Sequence, residues 1–460
     1  MPPAPTSPPA EPSPAPSGQS QTDAATTSSD EDARTPSAAE TDAPALVAPA
    51  VPDAPTAGGT GVPVLSAPVK TGVQALSAPG GISLLAAGVP EAGTPVWPDT
   101  FEQGLSPTTP SAIPAYAGSR FTANAAWATG TNCTGVLVNY TASYPNSAFC
   151  PSEPILIGIG GSSTLGAREV RRLADVLGQV GAGVTGSTSS TGPVAATTAA
   201  TQANHALTAA PYATLASGNS LVLRSASAIG VTAPTSRYYA IRADVAGDEC
   251  ASTPASLTFS LLSGGTTHAP FTVVPCTNAA GTYYTSTPAL AATGGGLDGS
   301  TALAASVRAG TYTGGAALLT SAQIAAAQVN VTNTLTTATG NAFAIDNLRV
   351  LDVTPRLDLA FAPAGVAAGT AATLTYTVTN TNDLLAKSDW SFTNALPAGL
   401  VVASTPAVGG TCANVTGTAF SVTAAAGAST ISAAGGDLAA NAVSCTITVK
   451  VVSESAGTYG

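Results

Sequence analysis

Period-two alternation of apolar and polar residues dominates the chain after about residue 93. It recurs in TGVLVNYTA (134–142), SLVLRSASAI (220–229), RYYAIRADVA (237–246), ASLTFSLLSG (255–264), TALAASVRAG (301–310) and AFAIDNLRVLDV (342–353). A strand places successive side chains on opposite faces, so alternation of this kind predicts half-buried β-strands. The pattern resumes in TLTYTVTN (373–380), where Leu374, Tyr376 and Val378 face one way. It returns in VSCTITVKV (443–451) with Cys445, Ile447 and Val449. A helical period shows over 166–180, where Val170, Leu173, Val176, Leu177 and Val180 fall on one face. Many strands and one helix predict an all-β chain. A jelly-roll-like β-sandwich carries one lateral helix, and an immunoglobulin-like (Ig-like) β-sandwich of about 100 residues follows it.

The first 92 residues lack any such pattern. Residues 1–80 contain 16 of the 36 prolines, and no aromatic residue precedes Trp97. A stretch this poor in buriable surface does not offset its ordering entropy, so 1–92 is expected to be a disordered Pro/Ala/Ser/Thr-rich linker. The expected organisation is therefore linker 1–92, jelly-roll-like sandwich 93–354 and Ig-like repeat 355–460.

Only 8% of residues are charged, and the net charge is −11. Such a chain lacks the basic footprint that nucleic acid requires. No apolar run approaches the roughly 20 residues of a transmembrane helix, so no transmembrane segment is expected in this chain. The start MPPAPTSPPAEPSPAP has neither the basic nor the apolar part of a signal peptide. An export signal is expected upstream, and a further repeat is expected after AGTYG.

Six cysteines form three local couples: Cys133 with Cys150, Cys250 with Cys276, and Cys412 with Cys445. None makes a CxxC, and two histidines are too few for the usual zinc spacings, so disulfides are the expected use. Crossed pairing among the central four is left open by sequence. Disulfides imply an oxidising compartment outside the cytosol.

The chemistry-bearing motifs are few. In ILIGIGGSSTLGAREVRRLADVLG (155–178), Gly158 and Gly160 fit a dinucleotide fingerprint, but Ser163 takes the third position. No acid sits at the ribose distance, and no βαβ repeat surrounds the motif. No lysine follows the glycines either, as a phosphate-binding P-loop requires. A Gly-rich turn before a helix is the expected reading. His205 and His268 give nucleophilic catalysis little to work with, no G-x-S-x-G elbow precedes a helix, and no carboxylate pair is defined for glycoside hydrolysis. No enzyme activity and no required cofactor are expected.

PDTFEQGL (98–105) opens the central unit and AIDNLRVLDV (344–353) closes it. First and last strands of a jelly roll are neighbours, so Glu102 and Asp346 are candidates to share a structural Ca²⁺ with backbone carbonyls. Lys387 and Asn394, with Asp389 near, suggest a Lys–Asn isopeptide pair; the polar context NDLLAKSDW instead favours a solvated lysine. Trp97 and Trp127, then Tyr238 and Tyr239, are the aromatic candidates for stacking on a sugar.

The stretch FAPAGVAAGTAATLTYTVTNTNDLLAKSDWSFTNALPAGLVVAS (361–404), then Cys412 and GGDLAANAVSCTITVKVVSESAGTY (435–459), resembles a conserved repeat domain of uncharacterised function. Such repeats occur in cell-surface proteins of high-GC Gram-positive bacteria. ANHALTAAPYA (203–213), RYYAIRADVA and FAIDNLRVLDVTPRLDLAF (343–361) are similar to the jelly-roll-like domain that often precedes the repeat, with His205 and Asp346–Asn347 persisting. FEQGL and AIDNL are similar to carbohydrate-binding jelly rolls that hold structural calcium. The resemblance implies a non-catalytic structural or adhesive protein of the cell surface or wall. Its repeat would act as a stalk and its jelly roll as the outward domain, with a host or environmental glycan or protein as partner. The alternative is a carbohydrate-binding module of a secreted protein.

Overall fold

A computed structural model of the chain describes residues 86–128, 133–141, 165–211, 221–248, 254–286, 306–334, 342–413 and 419–459. These residues are mostly β, and every pairing between the strands named below is antiparallel.

The first sandwich is a nine-stranded sheet facing a five-stranded one. Two long strands, Arg237–Gly247 and Phe343–Asp352, pair along their length at the centre of the larger sheet. The opening strand Thr94–Asp99 pairs with the end of Phe343–Asp352, which makes the first and last strands of this unit neighbours. The smaller sheet runs Phe121–Thr122, Leu221–Ser225, Gln328–Asn333, Leu257–Ser263, Thr266–Val273.

Alternation explains how one strand serves several layers. In Arg237–Gly247, Tyr239, Ile241, Ala243 and Val245 point into the core between the sheets, with Phe259, Leu261 and Val331. The residues of opposite parity point outward and meet different neighbours. Tyr238 and Ala240 join the core of the second sandwich. Ala246 joins the cluster under the helix. Arg242 and Asp244 lie between these two ends.

The helix spans Leu165–Gly181. Val170, Leu173, Val176 and Leu177 are fully buried against Val136, Val138, Ala344 and Val307. Its polar side is buried too. Glu169, Arg172, Asp175 and Gln179 are at most 1% exposed. Arg172 pairs with Glu169 at 2.8 Å and with Asp248. Asp175 accepts from Thr197 Oγ1 at 2.6 Å, Thr201 Oγ1 at 2.7 Å and Ser286 Oγ at 2.8 Å. The expected lateral helix is thus buried on its polar face as well, because the 197–201 segment and Ser286 cover it. The glycine cluster at 155–164 that precedes the helix lies outside the described residues.

The second sandwich packs the sheet Arg356–Ala362, Ala372–Thr379, Ser444–Val452, Val401–Val402 against Lys387–Ala395, Thr430–Leu438, Ser421–Thr423. Leu374, Tyr376, Val378, Ile447 and Val449 fill its core with Trp390 and Ile431. Cys412 and Cys445 are bonded to each other. Cys133 and Cys276 are each in a disulfide, and Cys150 and Cys250 lie outside the described residues. Trp390 packs over Gly436, where a Cβ would stand 2.3 Å from the indole Cζ2. Gly436→Ala should cost about 1–3 kcal/mol by overpacking, measurable in urea unfolding; no change would show that the indole is free to retreat.

The two sandwiches share a junction. Tyr238, Ala240, Leu351 and Val353 from the first lie in one apolar cluster with Tyr376, Val378 and Trp390 from the second. Tyr238 donates its hydroxyl to the Ser388 carbonyl, and Val353 N donates to the Tyr238 carbonyl at 2.8 Å. Residues 86–92, which composition assigns to the linker, are laid along this junction. Asn382 N donates to the Glu91 carbonyl at 2.7 Å, and Gly88 N donates to Thr379 Oγ1 at 3.0 Å. Arg356 pairs with Glu91 and with Asp358. Residues 1–85 lie outside the described residues. Among the described residues no helix is long and apolar enough to cross a membrane.

Candidate functional site

Strand alternation breaks once in Phe343–Asp352. Asp346 pairs with Asp244 and Arg349 with Arg242, so three steps on one strand face two on the other: a β-bulge. Asn347 carries the extra residue at φ +48°, a backbone region that asparagine tolerates better than most residues. The bulge reverses parity. Phe343 and Ile345 point into the core before it, and Leu348 and Val350 do so after it. Asp346 is left on the outer face, 1% exposed.

A polar cluster forms around the bulge. Asp346 accepts from Asn204 Nδ2 at 2.9 Å and from Asn347 N at 2.6 Å. Asp244 accepts from Thr311 Oγ1 at 2.5 Å and Asn347 Nδ2 at 2.8 Å. Arg349 donates to Asn347 Oδ1 at 3.0 Å. One residue past Asn204, the His205 backbone N donates to Glu102 Oε1 and its ring Nδ1 meets Glu102 Oε2, both at 2.6 Å. His205 Nε2 lies 3.2 Å from the Ser106 carbonyl. Both ring nitrogens face acceptors, which is the environment of an imidazolium.

The fold therefore brings Glu102 and Asp346 into one neighbourhood, close enough that the Glu102 charge acts on Asp346. Their oxygens, however, are engaged by N–H donors rather than turned toward a common point. Among the described residues no group of three or more His, Cys, Asp or Glu is placed to hold a metal ion. A calcium ion would have to displace those donors, so the residues as arranged do not fit it. What the cluster does is pin the bulge to the Asn204–His205 turn and the 99–106 loop. Asn204, Asp244, Thr311 and Arg349 were not identifiable as partners from sequence. The one usable signal was the NH dipeptide beginning a strand, ahead of alternating residues.

Burial pushes the Asp346 carboxyl well above its ordinary 3.8; the Asn204 and Asn347 donors oppose this, and the Asp244 and Glu102 charges add to it. Burial opposes charging of His205, but the hydrogen bond and charge of Glu102, with the Ser106 carbonyl, leave its pKa raised. A raised folded-state pKa gives stability that is complete below the unfolded value and lost as pH rises through the folded one. Melting temperature should therefore fall in the wild type relative to His205→Gln as pH rises from about 5.5 to about 8.5, through the ordinary imidazole range. A pH-independent gap between the two proteins would show that the Glu102 pairing adds nothing.

The aromatic candidates for sugar stacking are corrected. Trp127 is 1% exposed and stacks on Phe343 with centroids 5.4 Å apart. Trp97 is 9% exposed and carries the Arg120 guanidinium over its ring. Tyr238 and Tyr239 are buried at 3% and 1%. Each faces inward because the strand or helix bearing it has that side against a core. Lys387 is likewise no solvated loop residue: it is fully buried at the start of Lys387–Ala395. Asn394 lies at the far end of that strand, donating to Tyr376 Oη at 2.9 Å.

Fold and site together define a two-sandwich β protein whose polar centre braces a bulge. Residues 355–460 match the model of a family described as a domain of unknown function (DUF7933). No curated protein matches the chain. Among solved structures, the chain is similar to the N-terminal CBM22-1-CBM22-2 tandem domain from Paenibacillus barcinonensis Xyn10C. That similarity has 10% identity over 79% of this chain and 90% of that one, at a TM-score of 0.25.

Proposed function

We propose that this is a non-catalytic structural or adhesive protein of the bacterial cell surface. The 355–460 repeat acts as a stalk and the 93–354 sandwich is the domain held outward. The observation that carries the reading is the junction. Four apolar side chains of the first sandwich are shared with the core of the second, and residues 86–92, which lead into the first sandwich, hydrogen-bond to the second. A stalk must transmit orientation, and a shared apolar core resists the relative domain motion that small polar interfaces allow. The Cys412–Cys445 bridge supports an oxidising location.

Two measurements test this. Residual dipolar couplings on the full chain should fit one alignment tensor for both sandwiches; two independent tensors would remove the stalk argument. In the native host, antibody against 355–460 should label unpermeabilised cells, and the extracted chain should show no free thiol. A chain found inside with reduced cysteines overturns the surface reading.

A further inference from the structure

Buried Lys387 sits in an arrangement that a simple structural ammonium does not need. Its Nζ lies 2.9 Å from Asn380 Oδ1, 3.0 Å from Asp383 Oδ1, 3.1 Å from the Leu385 carbonyl and 3.2 Å from Thr381 Oγ1. Four oxygens thus converge on a group with three protons. Asn380 is itself only 2% exposed. Its amide cannot turn, because Nδ2 donates to the Ala442 carbonyl at 2.9 Å and the Leu385 carbonyl at 3.1 Å. Its Oδ1 also accepts from Thr381 N at 2.9 Å. Asp383 is held by Leu385 N and Thr381 Oγ1, both at 2.8 Å.

We propose that Lys387 and Asn380 join in an intramolecular isopeptide bond, with Asp383 carrying the proton. Asp383 takes one proton from the Lys387 ammonium. The freed amine attacks Asn380 Cγ, forming the Nζ–Cγ bond, while Thr381 N–H stabilises the charge that develops on Oδ1. The Cγ–Nδ2 bond then breaks. A second proton from Nζ passes to Nδ2, which leaves as ammonia, and Asp383 releases its proton to the departing ammonia as ammonium. No oxidant or external reagent is required. Burial favours the neutral amine over the ammonium, although the hydrogen bond and charge of Asp383 oppose this; the Lys387 pKa is lowered. Proximity supplies much of the remaining barrier reduction, since both groups are already within hydrogen-bond reach. The product removes a buried charge and ties the strand Ala372–Thr379 of one sheet to the strand Lys387–Ala395 of the other across their connecting corner. This inference rests on the local geometry and stands apart from the surface-protein reading.

Intact mass spectrometry of the full chain, with cystines counted, tests it. The expected mass is lower than the sequence requires by one ammonia, and trypsin after denaturation and reduction fails to cut after Lys387. Lys387→Arg restores the full mass, and Asp383→Asn restores it or slows the loss. Full mass in the wild type overturns the proposal without recourse to any variant. So does a one-ammonia deficit in protein that trypsin still cuts after Lys387, because that is a cyclised asparagine without a cross-link.

Discussion

Arg172→Met is expected to lower the unfolding free energy by about 3–5 kcal/mol, because it leaves buried carboxylates without their counter-charge. The guanidinium is 1% exposed, and the Glu169 and Asp248 side chains that flank it are 0% and 1% exposed. Its Nε and Nη2 donate to Glu169 at 3.1 and 3.0 Å, and Nη2 also reaches Asp248. Methionine fills similar volume but offers neither charge nor donors, so two like charges would remain inside a low-dielectric layer. Equilibrium denaturation reads the loss directly. Neutralising the acids in the same background, as Glu169→Gln/Arg172→Met/Asp248→Asn, should recover part of it, since the stranded charges are then gone. A loss below about 1 kcal/mol for the single variant would place this pair with ordinary surface ion pairs and contradict the burial argument.

Converting Cys412 and Cys445 together to serine should cost about 3–4 kcal/mol in the second sandwich. The bridge closes a separation of 33 residues, and the loop-entropy relation gives that magnitude for such a loop. Cys445 lies in the core of Ser444–Val452, while Cys412 belongs to the segment that crosses over that strand. Calorimetry with and without reductant should show the wild type losing more stability on reduction than the double serine variant, which keeps the disulfides of Cys133 and Cys276. If the oxidised wild type and the variant unfold within about 1 kcal/mol of each other, then the bridge is not a constraint on the unfolded chain.

The two variants probe different depths of what the chain encodes. The bridge was visible as one of three local cysteine couples, and the strands around it as alternating runs. The Arg172 cluster was not visible. Its helix reads as amphipathic, and a charged face normally marks the solvated side. Here the face is charged because other elements cover it, bringing Asp248, Ser286 and Thr201 over the helix from distant positions. Lys387 misled in the same way. A lysine amid Asn, Asp and Ser looks like part of a solvated turn, yet those polar groups fold inward around it. Trp127 and Trp97 looked available for a ligand for the opposite reason: sequence records that a side chain is aromatic, but not which way its backbone turns it.

The site shows the same division. The neighbourhood of Glu102 and Asp346 followed from placing the first and last strands of a sandwich side by side. The bulge at Asn347 did not follow, nor did the engagement of those carboxylates by His205 and Asn204. One extra residue reverses which side chains face the core, and its position depends on the partner strand.

The sequence by itself determined the all-β class of fold, its most regularly alternating strands, the long helix Leu165–Gly181 and the Cys412–Cys445 couple. These are set by hydrophobic period and short-range spacing, which one chain carries in full. Tertiary structure alone decided which polar residues are buried, which aromatics are spent on cores, and how the two sandwiches interlock. Many of those outcomes depend on residues from 26 to 142 positions apart meeting across layers, and no local pattern encodes a partner at that range.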